Sequence, residues 1–119
     1  CHYARTRLIV AARANGIDAI DGPFANFRDP DGYRRECTWA TTLGAVGKWA
    51  IHPSQVEIAN TVFAPTEEEI ERAKALVERV RAAEAAGAGA ASDDGVMIDA
   101  ATARIFEATL ERARLMGKA

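Results

Sequence analysis

Gly16-Ile17-Asp18-Ala19-Ile20-Asp21-Gly22-Pro23 recurs in outline as Gly47-Lys48-Trp49-Ala50-Ile51-His52-Pro53. In each stretch a glycine is placed to close a helix, a short apolar run follows, and a polar side chain stands at its end. A proline then stops ladder pairing, because it has no N–H to donate. Ile20 and Ile51 lie 31 residues apart, close to the roughly 30 residues of a βαβ crossover. The reading is α/β, with consecutive parallel strands over Asp18–Asp21 and Trp49–His52 and with Asp21 and His52 at their carboxyl ends. In α/β barrels and open α/β sheets, ligands gather at that rim.

Working outward, residues 4–15 suit a helix with Leu8, Ala11, Ala12 and Asn15 on one side and Gly16 at C′. Asp29-Pro30-Asp31-Gly32 reads as a turn, and Tyr33 to Leu43 as a second helix ended by Gly44. Ser54 is placed to cap a short helix through about Ala59. The clearest helix signal is Pro65-Thr66-Glu67-Glu68-Glu69, where Thr66 and Glu69 have the spacing of a capping box. Ile70, Ala73, Val77 and Val80 then make one buried stripe to about Ala86. Residues 87–95 are small and turn-rich and read as a hinge-like loop. A last helix follows, with Asp99 at its N-cap and Thr102, Phe106, Leu110 and Ala113 along one face.

The 119 residues, 49% hydrophobic and 27% charged, fit one ordinary globular domain. A net charge of −2 gives no sign of a nucleic-acid surface. No apolar stretch approaches the ~20 residues of a membrane span. Arg5, Arg7 and Arg13 are spread through an apolar pattern, which reads against a secretory leader. Cys1 and Cys37 are too few for a disulfide scaffold and lack metal-ligand spacing, so the expected compartment is the cytoplasm. Two parallel strands do not make a fold, since a parallel pair needs both faces covered and its edges paired. The chain is therefore expected to be part of something larger.

Ala19-Ile20-Asp21-Gly22-Pro23-Phe24, Gly47 through Gln55, Asn60 through Pro65, and Asp94 through Ala100 resemble the citrate lyase β-subunit family. Within it the wording is most similar to malyl-CoA and β-methylmalyl-CoA lyases. The resemblance implies a (β/α)8 TIM barrel, of which this chain supplies the last two parallel strands and their helices (residues 1–60) and an α-helical lid region (residues 61–119). It implies Mg²⁺-dependent cleavage or formation of a C–C bond in a 3-hydroxyacyl-CoA, giving acetyl-CoA and a 2-oxo acid such as glyoxylate. The coenzyme A thioester is the substrate. The family's metal ligands lie on earlier strands, so no metal ligand carries over. The rest of the barrel and a homo-oligomer, trimer or hexamer, with the lid over a neighbouring subunit, are the implied partners.

Asp99 is by position an N-cap; by resemblance it is the acid/base at the CoA methyl carbon. The two roles pull apart, because backbone N–H groups lower a carboxylate's pKa. His52 ends a strand and reads as a structural hydrogen-bonding group, with proton transfer the lesser alternative; by resemblance Ile51, His52 and Pro53 line the thioester substrate. Asp21 either orients a neighbour or serves its Asp-Gly-Pro turn. Asp93 and Asp94 read as turn residues, and Trp39 and Trp49 as packing residues. Two alternatives stay open: a malyl- or citramalyl-CoA thioesterase on the same scaffold, and a non-catalytic interaction module.

Overall fold

A computed structural model describes residues 2–88, 90–93 and 96–118. The chain divides into two compact units, the first ending at Phe63 and the second beginning at Ala64.

The first unit runs α1 (His2–Ala14), β1 (Ile20–Asp21), α2 (Pro30–Leu43), β2 (Gly47–Lys48) and α3 (Pro53–Phe63). The strands pair in parallel, Ile20 opposite Gly47 and Asp21 opposite Lys48. Bonds from Val46 N–H to the Ala19 carbonyl (2.9 Å) and from Trp49 N–H to the Asp21 carbonyl (3.0 Å) extend the ladder at both ends. The expected parallel α/β unit is present, but its second strand lies earlier than Trp49–His52. The ladder stops at Trp49 because the next amide to bond, that of Ile51, donates to the Gln55 side chain (2.8 Å) instead of a strand. Gly47 likewise closes no helix; it lies in β2 under Ile20, and Gly44, at φ 101°, ends α2.

Helix α2 begins earlier than Tyr33. Asp29 caps it by accepting the Gly32 N–H at 2.8 Å, and Pro30 occupies its first turn, where a missing N–H costs nothing. A Cβ at Gly32 would run into the Asp29 carboxylate and the Phe24 ring, so a larger residue there would have to displace the capping side chain. Tyr33, Cys37 and Ala40, spaced to share a helix face, enter the core with Ile9, Ala19, Ala45 and Phe63. On α1 it is Ile9 and Ala12 that face this core, whereas Leu8 is exposed. Trp39 and Trp49 are also exposed, not packed as the sequence suggested. Helix α3 runs well past Ala59, to Phe63.

The second unit runs α4 (Glu67–Ala85), β3 (Ala90–Asp93), β4 (Val96–Asp99) and α5 (Ala100–Leu115). The Thr66–Glu69 capping box forms with both reciprocal bonds, 2.8 and 3.1 Å. The predicted stripe of α4 is buried, with Leu76 added. Leu76 and Val80 pack with Ile98 of β4, Ala103 of α5 and the Phe106 ring. Residues 87–95 do not form one loop: β3 pairs antiparallel with β4, Ala91 opposite Ile98 and Ser92 opposite Met97. The Arg79 guanidinium reaches across from α4 to the Ser92 carbonyl at 2.7 Å, a backbone partner that composition gives no hint of. Cys1, Asp94 and Gly95, which figure in the sequence reading, lie outside the described residues. No helix among the described residues is long and apolar enough to cross a membrane.

Candidate functional site

The carboxyl ends of β1 and β2 are built on a buried ion pair. Because side chains alternate along a strand, Ile20 and Gly47 share one face and Asp21 and Lys48 the other. The Lys48 Nζ lies 2.6 Å from Asp21 Oδ2, with the two side chains 2% and 6% exposed. Arg5 of α1 meets the other Asp21 oxygen at 3.0 Å and Glu36 of α2 at 3.0 Å. Asp21 therefore orients neighbours, the first of the two roles its sequence left open, and its oxygens are committed to cations. Lys48 is not among the sequence candidates. A lysine one residue after a strand glycine, opposite an aspartate in the parallel register, is the signal that could have found it.

Tyr33 lies beneath this rim, fully buried, with its hydroxyl 3.2 Å from the Trp49 carbonyl. Burial, then the nearby Cys37 and Asp21, push its pKa up to about 12, so it remains a donor at neutral pH. Burial likewise raises the Cys37 thiol, against opposing contributions from Tyr33 and Lys48, and keeps it an unreactive packing group.

Two loops leave the strand ends. The first, after β1, carries Phe24 and Phe27; the second, after β2, carries Trp49 to His52. The structure places all three predicted substrate residues here, Ile51 and His52 in the second loop and Pro53 as the first residue of α3. The Ile51 side chain is 52% exposed. His52 stacks on Phe27, ring centroids 4.5 Å apart and planes at 14°. Its Nδ1 accepts from the Ser54 N–H at 3.2 Å and meets the Ser54 hydroxyl at 2.8 Å. An Nδ1 lone pair used this way puts the proton of the uncharged ring on Nε2. His52 thus does not end a strand; it opens α3, its carbonyl accepting the Gln55 N–H at 3.0 Å. Gln55, unassigned from sequence, bonds both loops with its side chain.

Asp99 belongs to the second unit, where β4 becomes α5. Its Oδ1 accepts the Thr102 N–H at 2.8 Å and the Thr102 hydroxyl at 2.9 Å. These bonds, the backbone one first, hold the carboxyl below the usual carboxylate range. The capping reading of Asp99 is thus present in the geometry. Met97, two residues earlier, is 70% exposed, whereas Ile98 between them is buried. Asp93 ends β3, and Asp94 is outside the described residues. Among the described residues no three His, Cys, Asp or Glu side chains converge to hold a metal ion. With Asp21 neutralised by Lys48 and Arg5, these residues do not fit a divalent-cation site.

Consecutive parallel strands joined by a helix, with exposed loops at their carboxyl ends, are the building unit of α/β barrels and of open α/β sheets. A family described as C-C bond lyase of the TIM-barrel fold matches residues 7–118, and the chain belongs to that family. The L-malyl-CoA/beta-methylmalyl-CoA lyase of Rhodobacter capsulatus is 40% identical over 114 residues, 96% of this chain and 36% of the relative. A citrate lyase structure from Burkholderia xenovorans LB400 superposes with a TM-score of 0.79 at 28% identity, covering 99% of this chain and 36% of that one. The CitE protein of Mycobacterium tuberculosis, solved in complex with magnesium, acetoacetate and coenzyme A, gives 0.73 at 29% identity, over 95% and 41%. The chain spans little more than a third of the length of the curated relatives it matches.

Proposed function

We propose that this chain is the C-terminal portion of a Mg²⁺-dependent CoA-ester lyase. The complete enzyme cleaves a 3-hydroxyacyl-CoA such as malyl-CoA to acetyl-CoA and glyoxylate, or joins them in reverse. It works in the cytoplasm as a homo-oligomer. Residues 1–60 are the last βα units of its barrel, and residues 61–119 form a lid that closes over a neighbouring subunit. The observation that carries the reading is that a single family match, over residues 7–118, takes in both the strand-end loops and Asp99. The metal's ligands belong to barrel strands outside these residues.

The Ile51–Pro53 segment is the wall against which the acyl-CoA lies, apolar at Ile51 and Pro53 and offering His52 Nε2–H as a donor. Asp99 is the proton-exchanging group. In condensation its carboxylate takes a proton from the acetyl methyl carbon, that carbon bonds the glyoxylate carbonyl carbon, and the carbonyl oxygen gains a proton from a donor outside these residues. In cleavage the hydroxyl gives that proton back as the carbonyl re-forms, the C–C bond pair passes to the acetyl carbon, and the Asp99 carboxyl protonates it. The Thr102 bonds keep Asp99 ionised at rest, which is the form condensation needs. They also fix its direction, leaving closure of the lid to exclude water and raise its basicity.

Asp99→Asn in the complete protein tests this. Loss of general acid–base catalysis removes about 10²–10⁴-fold of turnover with acyl-CoA binding kept. The amide still caps α5 through its oxygen, so the fold survives the change. Full turnover of malyl-CoA by this variant rejects the role, and product analysis separates C–C cleavage from thioester hydrolysis.

A further inference from the structure

Gln55 is 1% exposed, and the two ends of its side chain serve different loops. Its Oε1 accepts the Ile51 N–H at 2.8 Å, in the loop after β2. Its Nε2 donates to the Phe24 carbonyl at 3.0 Å, in the loop after β1. Those backbone groups have left the strand ladder, so the amide replaces the sheet as their partner. An unbonded buried amide is costly, which fixes both contacts together. Two further ties bind the same segment: the Tyr33 hydroxyl on the Trp49 carbonyl and the His52 ring on Phe27. Neither of them holds the Ile51 backbone itself.

We propose that Gln55 is a positioning residue whose buried amide sets the spacing of the two strand-end loops and so presents Ile51–Pro53 to the acyl-CoA. The inference rests on the functional reading above. Gln55 touches no reacting atom; it acts through the backbone at Ile51.

Two variants of the complete protein test it. Gln55→Met keeps the volume and loses both bonds. Gln55→Glu, when ionised, still accepts from Ile51 but faces the Phe24 carbonyl with a second acceptor. Acyl-CoA KM is expected to rise about tenfold in each at about pH 8, with kcat within about twofold of the parent, because each loses at least the buried bond to Phe24. As pH falls, the buried carboxyl of Gln55→Glu, whose pKa burial raises, gains an O–H that donates to Phe24 and mimics the amide. The KM of that variant relative to the parent's at the same pH therefore returns toward one, whereas that of Gln55→Met does not. Hydrogen exchange at the Ile51 amide is expected to accelerate in Gln55→Met only.

Unchanged exchange and unchanged KM in both variants overturn the clamp. Faster exchange with unchanged KM leaves the clamp standing and overturns the acyl-CoA wall at Ile51–Pro53. A fall in kcat and melting temperature with KM unmoved, and no recovery of Gln55→Glu at low pH, reduces Gln55 to a packing role and also overturns the proposal.

Discussion

The strand-end loops of the first unit and the β4–α5 junction of the second place candidate groups by opposite means. At the strand ends the anchors are buried and come from distant parts of the sequence: Asp21 with Lys48, Tyr33 with the Trp49 carbonyl, Gln55 with Phe24. The candidate side chains there, Ile51 and His52, hang outward from a backbone fixed from below. At the junction Asp99 is both the candidate group and its own anchor, held by one residue three positions on. A buried, non-local frame makes geometry expensive to lose; a local cap makes it cheap to lose. The first suits the proposed wall, the second the proposed acid/base, whose surroundings would change as the proposed lid closes.

The sharpest way to break the contrast is to cut the deepest anchor. Lys48→Met leaves Asp21 buried with Arg5 as its one remaining close cation among the described residues, and stability should fall by about 3 kcal/mol, within the range for stranding one member of a buried pair. Asp21→Leu combined with Lys48→Met removes both charges and should recover most of that loss. Urea unfolding of the complete protein reads both. A single variant as stable as its parent means that the pair is not the frame of the rim. The two units would then not differ in the way described.

Tyr33→Phe should cost less, about 1 kcal/mol, since one hydrogen bond to a backbone carbonyl is lost. It also carries a pH signature. Tyr33 titrates near 10 when unfolded and near 12 when folded. Its contribution is therefore complete below pH 10 and is lost as pH rises toward 12, because the unfolded chain gives up the proton first. Wild-type stability should fall across that window more steeply than that of Tyr33→Phe. Parallel slopes would mean that the hydroxyl is not held as the geometry has it.

How much of this is legible from sequence follows the same division. Local signals are legible: the Thr66–Glu69 box, the Asp99 cap and the Gly16 turn each depend on residues within one helical turn. Non-local ones are not. Trp49-Ala50-Ile51 is apolar enough for a strand, and nothing in it says that the Ile51 amide prefers Gln55. Lys48 looks like a charge at the start of a strand, because its partner is 27 positions away. Strand β3, Ala90-Ala91-Ser92-Asp93, lacks β-branched and aromatic residues and declares itself only by pairing with Val96-Met97-Ile98-Asp99.

The smallest expected effect lies at the junction, and its sign separates capping from catalysis. Asp99 has a folded pKa below its ordinary value of 3.8, owing to the Thr102 bonds. Its contribution to stability is therefore present above that value and lost as pH falls through the lower, folded one. Acid titration of the complete protein should show a slightly steeper loss of melting temperature below about pH 4 for wild type than for Asp99→Asn, whose amide cannot titrate. Near neutral pH the two should melt within a few degrees of each other, because the cap is only partly buried and the Asn oxygen still accepts from Thr102. A collapse of Asp99→Asn at neutral pH would make Asp99 an anchor like Asp21, and any loss of turnover in that variant would then report unfolding. Near-equal melting beside a large loss of turnover is the pattern a lid-borne acid/base requires, since only such a group combines a weak structural tie with a strong chemical one.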